Sequence, residues 1–325
     1  MKPLSKLALI LFAAAAAAIL PIDGAVRADY PERTVTVIVP FSAGGRTDLT
    51  ARSVAQALEK HLGTPVVVIN KPGAGGVVGA KEVSGAKPDG YTIGIFSSAV
   101  VSAQYTVETG TDLADYAIAG VCESSPAAVA VKDDAPWQSL EELVAHAKKN
   151  PGALSLGMIP GASAQVFAGG FVDAAGVEMT MVPFDSDAPG VTALAGGHID
   201  VHVAVPASYK VLAEAKKIRM LGVAAEERMT TFPDIPTMRE QGADLVIGSF
   251  HGLFVPKGTP DDVIATLEAA LGEAMQEQTV IEQMASVGLG PVYMDRKEAQ
   301  RFLTGQDATY RKLIRQLGMM HKSKI

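Results

Sequence analysis

Short β-branched runs alternate with amphipathic segments along most of this chain, and no other feature limits the possible folds as much. Thr34–Val39 has strand composition and is followed by a glycine turn and a helix from about Thr47 to Leu62. On that helix Val54, Leu58, His61 and Leu62 fall near one face, as a 3.6-residue period requires. Pro65–Ile69 is the next strand, a glycine-rich turn and a short helix continue to about Ser84, and Tyr91–Phe96 is the third strand. Strands separated by helices need crossover connections. The pattern therefore predicts an α/β architecture with mostly parallel sheets flanked by helices.

The rhythm restarts near Ala127. Ser139–Asn150 is a well-marked helix, with Ser139 as N-cap, Glu142 three residues later, and Asn150-Pro151-Gly152 as the stop. Strands are expected at Leu154–Met158, Met179–Pro183, Ile199–Ala204 and Ile218–Val223, with helices at about Ala164–Ala175, Ala188–Ala195 and Ser208–Lys216 between them. After Phe250 the apolar run His251–Val255 leads to a helix opened by Thr259-Pro260-Asp261-Asp262, where proline and acids suit a first turn. Asp295–Leu317 forms a last amphipathic helix with Phe302, Tyr310, Leu313, Ile314 and Leu317 as apolar candidates. No polar low-complexity linker divides the two βα sets, so extended crossings are expected to join them.

Residues 1–28 read as a secretory signal peptide. Lys2 and Lys6 precede the apolar run Leu7–Leu20, and Val26-Arg27-Ala28 offers small residues at the cleavage positions. That run has 14 residues, short of the ~20 that span a bilayer. Export of a soluble mature protein follows. The whole chain carries a formal charge of −7, and losing the leader removes three basic residues and one acid. An acidic chain without basic runs excludes nucleic acid and anionic membrane as partners, though not an anionic small ligand held by local donors. The one cysteine, Cys122, cannot form an internal disulfide, so the fold rests on its core.

Several segments together resemble one family. Pro40-Phe41-Ser42-Ala43-Gly44-Gly45-Arg46-Thr47-Asp48 is similar to the P-F-x-A-G-G-x-T-D stretch of the tripartite tricarboxylate transporter substrate-binding proteins, the Bug family. Asn70–Gly76 resembles N-[KR]-P-G-A-G-G, Pro88–Thr92 resembles P-D-G-Y-T, and Leu194–Asp200 resembles L-x-G-G-x-x-D. Phe232–Thr237 resembles F-P-D-[IV]-P-T, and Gly252–Pro260 resembles G-[LF]-F-[AV]-P-x-G-T-P. The resemblance covers nearly all of the mature chain, in order. It implies a two-lobed periplasmic binding protein fold of type II, with residues 29–130 and 251–325 as lobe 1 and 131–250 as lobe 2. It also implies a monomer that captures a small organic acid (a di-, tri- or aromatic carboxylate), without a cofactor, and delivers it to membrane transporter subunits. Docking of the closed form on a sensory receptor is the alternative use of the same capture.

The residues that would hold the ligand lie at strand-to-helix turns. Phe41, Ser42, Ala43, Gly44, Gly45, Arg46, Thr47 and Asp48 join a strand to a helix, where backbone N–H groups and the helix dipole suit a carboxylate. Gly44 and Gly45 let the backbone approach a ligand. Arg46 stands where the family has a small residue, and a guanidinium suits a bidentate grip on a second carboxylate. Ile159, Gly161, Ala162, Ser163, Ala164 and Gln165 occupy the matching turn of the second lobe, with fewer hydroxyls than the family pattern. Ser97 and Ser98 are first-lobe donors. Phe184 and Asp185 replace a family Tyr-Lys pair, which argues against a highly charged ligand. Val205 and Pro206, after the strand that ends at Ala204, complete the set.

Three other chemistries have partial signals. Gly161-Ala162-Ser163-Ala164-Gln165 lacks the closing glycine of a G-x-S-x-G nucleophile elbow. In Gly73–Gly79 the last glycine is one position late for a dinucleotide fingerprint, so close helix–sheet packing is the better reading. His198, Asp200 and His202 would share one face of a strand and are the residues to test for metal. Three ligands on one strand seldom make a tetrahedral site, so no metal is expected.

Overall fold

A computed structural model describes residues 30–159, 163–185, 187–229 and 231–324. The signal peptide expected over 1–28, and Gly161 and Ala162, lie outside these residues.

In chain order the first set is β1 (Val35–Val39), α1 (Arg46–Leu62), β2 (Val66–Asn70), α2 (Val77–Ser84), β3 (Thr92–Ser97), α3 (Ser98–Thr106) and β4 (Tyr116–Pro126). The second set is β5 (Ala128–Lys132), α4 (Leu140–Lys149), β6 (Ser155–Met158), α5 (Ser163–Ala175), β7 (Thr180–Pro183), α6 (Asp187–Gly196), β8 (Val201–Ala204), α7 (Lys210–Glu214) and β9 (Ile218–Val223). The chain then returns through β10 (Gly248–Pro256), α8 (Asp261–Ala274), α9 (Gln278–Ser286), β11 (Pro291–Met294) and α10 (Arg296–Gln316).

Two mixed sheets result. Sheet one has the order β11-β4-β10-β3-β1-β2 and sheet two the order β7-β6-β8-β5-β9. The βαβ units supply the parallel pairs, β1 with β2 and β3, and β6 with β7 and β8. The strands beside the crossings run antiparallel: β10 against β3 and β4, and β5 against β8 and β9. The prediction of mostly parallel sheets thus holds within each βαβ block and yields where the chain changes sheets.

The central strands of each sheet are buried on both faces, which is why they read as continuous apolar runs, whereas edge strands β2 and β7 keep exposed residues. On β1, Val37 and Val39 face one core cluster with α1 and α8, while Ile38 faces another. That second cluster continues through Phe254, Tyr310 and Leu313 to Val129, Leu156 and Phe167 of sheet two. Helix α10 makes this continuity possible by packing on β4, α3 and α5. Side chains at Gly169 and Gly170 of α5 would overlap Leu317 and Leu313, so glycine there allows the close approach. Lys312 and Gln316 add hydrogen bonds to Asp173.

The two crossings meet. Between β4 and β5, Ala127 N–H donates to the Ile247 carbonyl at 2.9 Å, and Ala224 N–H donates to the Ala127 carbonyl at 2.7 Å. Among the described residues no helix is long and apolar enough to cross a membrane.

Candidate binding site between the two sheets

The turn between β1 and α1 is built largely by its own side chains. Gly44 has φ of +82° and open space where a Cβ would stand. Its N–H donates to Asp48 Oδ2 at 2.8 Å. Asp48 also accepts from Arg52 Nε at 3.0 Å and Asn70 Nδ2 at 2.9 Å, and Asn70 donates again to the Phe41 carbonyl. Burial alone would raise the Asp48 pKa, but the hydrogen bonds from Arg52, Gly44 and Asn70 outweigh it and hold the carboxyl below its usual value. Asp48 is therefore a brace for the turn, with its oxygens spent internally. Ser42, Ala43, Gly44 and Gly45 are exposed, and Phe41 packs towards Gly76 and Val100. The first-turn N–H groups of α1 have no intrahelical acceptor and remain the donors of this turn.

Arg46 and Thr47 reach the other way, into sheet one. Arg46 Nη2 donates to Glu123 Oε1 at 3.0 Å and to Ser125 Oγ at 3.2 Å, and Nη1 donates to the Gly288 carbonyl at 3.4 Å. Glu123 is fully buried, and its other oxygen accepts from His251 Nδ1 at 2.8 Å. His251 Nε2 pairs with Thr47 Oγ1 at 3.0 Å. Ser125 Oγ and Gly290 N–H also donate to Glu123. Desolvation pushes the Glu123 pKa up, and the hydrogen bond to His251, with the charge of Arg46 and the hydrogen bond from Ser125, outweighs it, so the carboxylate stays ionised. The guanidinium expected to be free for a ligand is thus engaged by a buried acid.

Ser97 caps α3, accepting from Ala99 N–H at 3.4 Å, and lies opposite His251 in the β3–β10 register. Ser98 is buried. Its hydroxyl and that of Ser163, at the start of α5, both lie close enough to the Tyr310 hydroxyl to lower its pKa against the rise that burial causes. Tyr310, fully buried on α10, donates to the Gly248 carbonyl at 3.2 Å. Two of the predicted donors, one from each sheet, therefore meet at one tyrosine that sequence reasoning had assigned to the core. The rest of the second-lobe set is spread along its strand ends. Ile159 and Gln165 are half-buried, and Ala164 is buried. Phe184 packs on Gly157 and Gly190, and Asp185 is exposed. Val205 and Pro206 are buried. Pro206 shares with Ala207, Lys210, Ser125, Gly288 and Gly290 a cavity of about 300 Å³ between the two sheets. A side chain at Gly288 would meet Ala207 Cβ at 2.8 Å, so the two halves touch at this point.

The residues tested for metal do not converge. Strand β8 begins at Val201, after His198 and Asp200, so the three do not share a strand face. His198 is exposed, Asp200 accepts from Ser155 N–H and Oγ, and buried His202 pairs with Tyr209 OH at 3.0 Å. Among the described residues no group of three His, Cys, Asp or Glu is arranged to hold a metal ion. Gly79 acts as its sequence suggested: a Cβ there would lie 2.7 Å from Pro40 Cα, so its absence lets α2 pack on the end of β1.

Glu123, Ser125, His251 and Tyr310 were missed. Their signal is a polar or hydroxyl-bearing residue inside an otherwise apolar run, such as Glu123 after Ala117–Cys122 and His251 before Gly252–Val255.

Comparison with known proteins agrees with this architecture. The profile of the tripartite tricarboxylate transporter family receptor (TctC) matches residues 50–319. Protein BugT of Bordetella pertussis is 30% identical over 301 residues, 89% of this chain and 90% of BugT. A ligand-free TctC solute-binding protein from Polaromonas superposes with a TM-score of 0.84 at 32% identity, covering 88% of this chain and 99% of that one. A protein of R. palustris solved with adipate gives a TM-score of 0.69 at 28% identity, over 89% and 99% of the two chains. MatC from Rhodopseudomonas palustris with bound malate gives 0.65 at 25%, over 88% and 100%. With its two sheets, its paired crossings and this match over most of its length, the chain belongs to the tripartite tricarboxylate transporter receptor family of solute-binding proteins.

Proposed function

We propose that this protein, exported by its leader to the periplasm, captures a small organic carboxylate between its two lobes and delivers it to a tripartite tricarboxylate-type membrane transporter. Residues 29–130 and 251–325 act as lobe 1, and residues 131–250 as lobe 2. The observation that carries this reading is that Ser98 and Ser163, at the first turns of helices from the two βα sets, both approach the buried Tyr310 hydroxyl. It supports a cleft into which two strand-to-helix turns donate. The exposed glycines of the β1–α1 turn would take one carboxylate on backbone N–H groups, and Ser98, Ser163 and the Phe184–Asp185 and Val205–Pro206 segments would contact the remainder. The adipate and malate bound by the R. palustris relatives favour this class of ligand.

Capture requires two arrangements of the lobes, with the ligand binding the closed one more tightly. The closer likeness to the ligand-free relative than to the adipate- and malate-bound ones, at similar identities, supports an open arrangement here. Titration calorimetry against a panel of mono- and dicarboxylates tests the reading. At least one acid should bind and be recovered chemically unchanged, and Ser98→Ala and Ser163→Ala should each weaken it about tenfold, the upper range for a lost buried hydrogen bond. Turnover of the bound acid, or no binding across the panel, would overturn the proposal.

A further inference from the structure

Resting on that reading, we infer that Glu123 is a specificity-determining residue: it neutralises Arg46 in advance, so the site prefers an acid with one negative charge over the dianion of the same length. Arg46 is the only cation among the residues of the two turns, and its Nη2 already lies 3.0 Å from the Glu123 carboxylate. The two partners differ in exposure. The Arg46 side chain is 34% exposed and the Glu123 side chain is fully buried, so a ligand can approach the guanidinium but cannot displace the acid beneath it. Three further contacts fix the acid, from His251, Ser125 and Gly290. Arg46 in turn touches Ser125 and Gly288, which line the cavity between the sheets. From the facing wall that cavity receives Lys210 and Glu214, one helical turn apart and opposite in sign, which add no net charge.

A second carboxylate arriving at Arg46 would meet a cation whose charge is spent and a buried anion just behind it. Attraction and repulsion of similar size then nearly cancel, and the cost of stripping water from the incoming carboxylate remains. A neutral amide or hydroxyl carries a far smaller cost and can still accept a guanidinium hydrogen bond.

The test compares succinate, glutarate and adipate, each against its own monoamide, by titration calorimetry of the full mature chain. The wild type should bind the best-fitting monoamide at least as tightly as its parent diacid. Glu123→Gln keeps the size of the side chain, releases the Arg46 charge, and should shift the ratio of affinities towards the diacid by about tenfold. The double variant Arg46→Gln/Glu123→Gln removes both charges and should return the ratio to the wild-type value. A purely structural role for Glu123 would weaken both acids alike and leave the ratio unchanged; that result in folded Glu123→Gln overturns the inference. A wild type that favours the diacid more than tenfold overturns it as well, and does so even if Glu123→Gln fails to fold. Binding of none of the six compounds removes the carboxylate reading itself, whereas binding with a diacid preference removes only the filter.

Discussion

The molecule contains two buried histidines, one near the crossing of each sheet, and they are treated in opposite ways. His251 in sheet one has both ring nitrogens engaged, by Glu123 and by Thr47 of the β1–α1 turn. His202 in sheet two has Nδ1 paired with Tyr209 while Nε2 has no partner among the described residues and lies against Gly190. Burial pushes the His202 pKa down, with Asp187 opposing it, so the ring is held neutral. The first histidine belongs to a network around Arg46 and Glu123 that ties the β1–α1 turn to the crossing strands. The second acts as a polar-edged filler beneath α6. The same residue type at the same depth thus serves rigidity in one lobe and packing in the other.

Removing the acid should have the largest effect. Glu123→Ala strands Arg46 and His251 without their anion, and urea denaturation should register a loss of about 3–5 kcal/mol; a loss below about 1 kcal/mol would show that the network does not hold sheet one together. Next comes Gly190→Ala, which drives a methyl group into His202 and should cost about 1–3 kcal/mol by overpacking. The counterpart Gly152→Ala, where nothing stands within 4 Å, keeps a positive φ and should cost about 1 kcal/mol through backbone strain alone.

A pH series separates the histidines further. Because the folded pKa of His202 lies below its unfolded value of about 6.5, the unfolded chain takes up the proton first. The stability contributed by neutral His202 is therefore present above pH ~6.5 and is lost as pH falls, by up to about 1.4 kcal/mol per pH unit, until the folded pKa is reached. His202→Gln should flatten that part of the curve between pH 7 and 5, and an unchanged slope would show that another group titrates there. The Glu123 contribution is lost in the same direction but in a lower pH window. Its folded pKa is depressed, so it is retained through this window and lost only as pH falls below the usual carboxylate range. The smallest effect is expected from Thr47→Val, which gives His251 an orphan nitrogen like that of His202 and should cost about 1 kcal/mol. Melting temperature and ligand affinity should fall together if Thr47 positions the turn.

Local signals in the sequence carried most of the βα skeleton. Ser139 caps α4 through Glu142 N–H as its spacing suggested, and Asp295 with Glu298 forms a capping box at the start of α10. What escaped was set by distant partners. No element was expected between Ser98 and Ala127, yet α3 and the long strand β4 lie there. Strand β4 carries Cys122, Glu123, Ser124 and Ser125 in succession, a polar run that makes sense only beside Arg46 and His251, 77 and 128 residues away. Likewise Ser208–Lys216 breaks into a turn at Pro206–Ser208 and the short helix α7. The candidate site was legible as a set of strand-to-helix turns, because glycine and hydroxyl residues mark those locally. Whether Arg46 was free could not be read from its neighbours in sequence, since the acid that engages it lies on another strand.

The position of β10 between β3 and β4 has a consequence for how the chain assembles. Sheet two is formed from a contiguous stretch, Ala128 to Val223, although β5 pairs with β8 and β9 only after the β6–β8 block between them is made. Sheet one needs a central strand that begins only at Gly248, so β4 stays unjoined to the β3-β1-β2 block until that late segment arrives. Closing so long a loop is entropically slow, and pairing across it raises contact order. Sheet two therefore has all its strands by Val223, whereas sheet one has its full set only once β11 ends at Met294. The network that braces the β1–α1 turn includes His251, so it cannot be complete before β10 is in place.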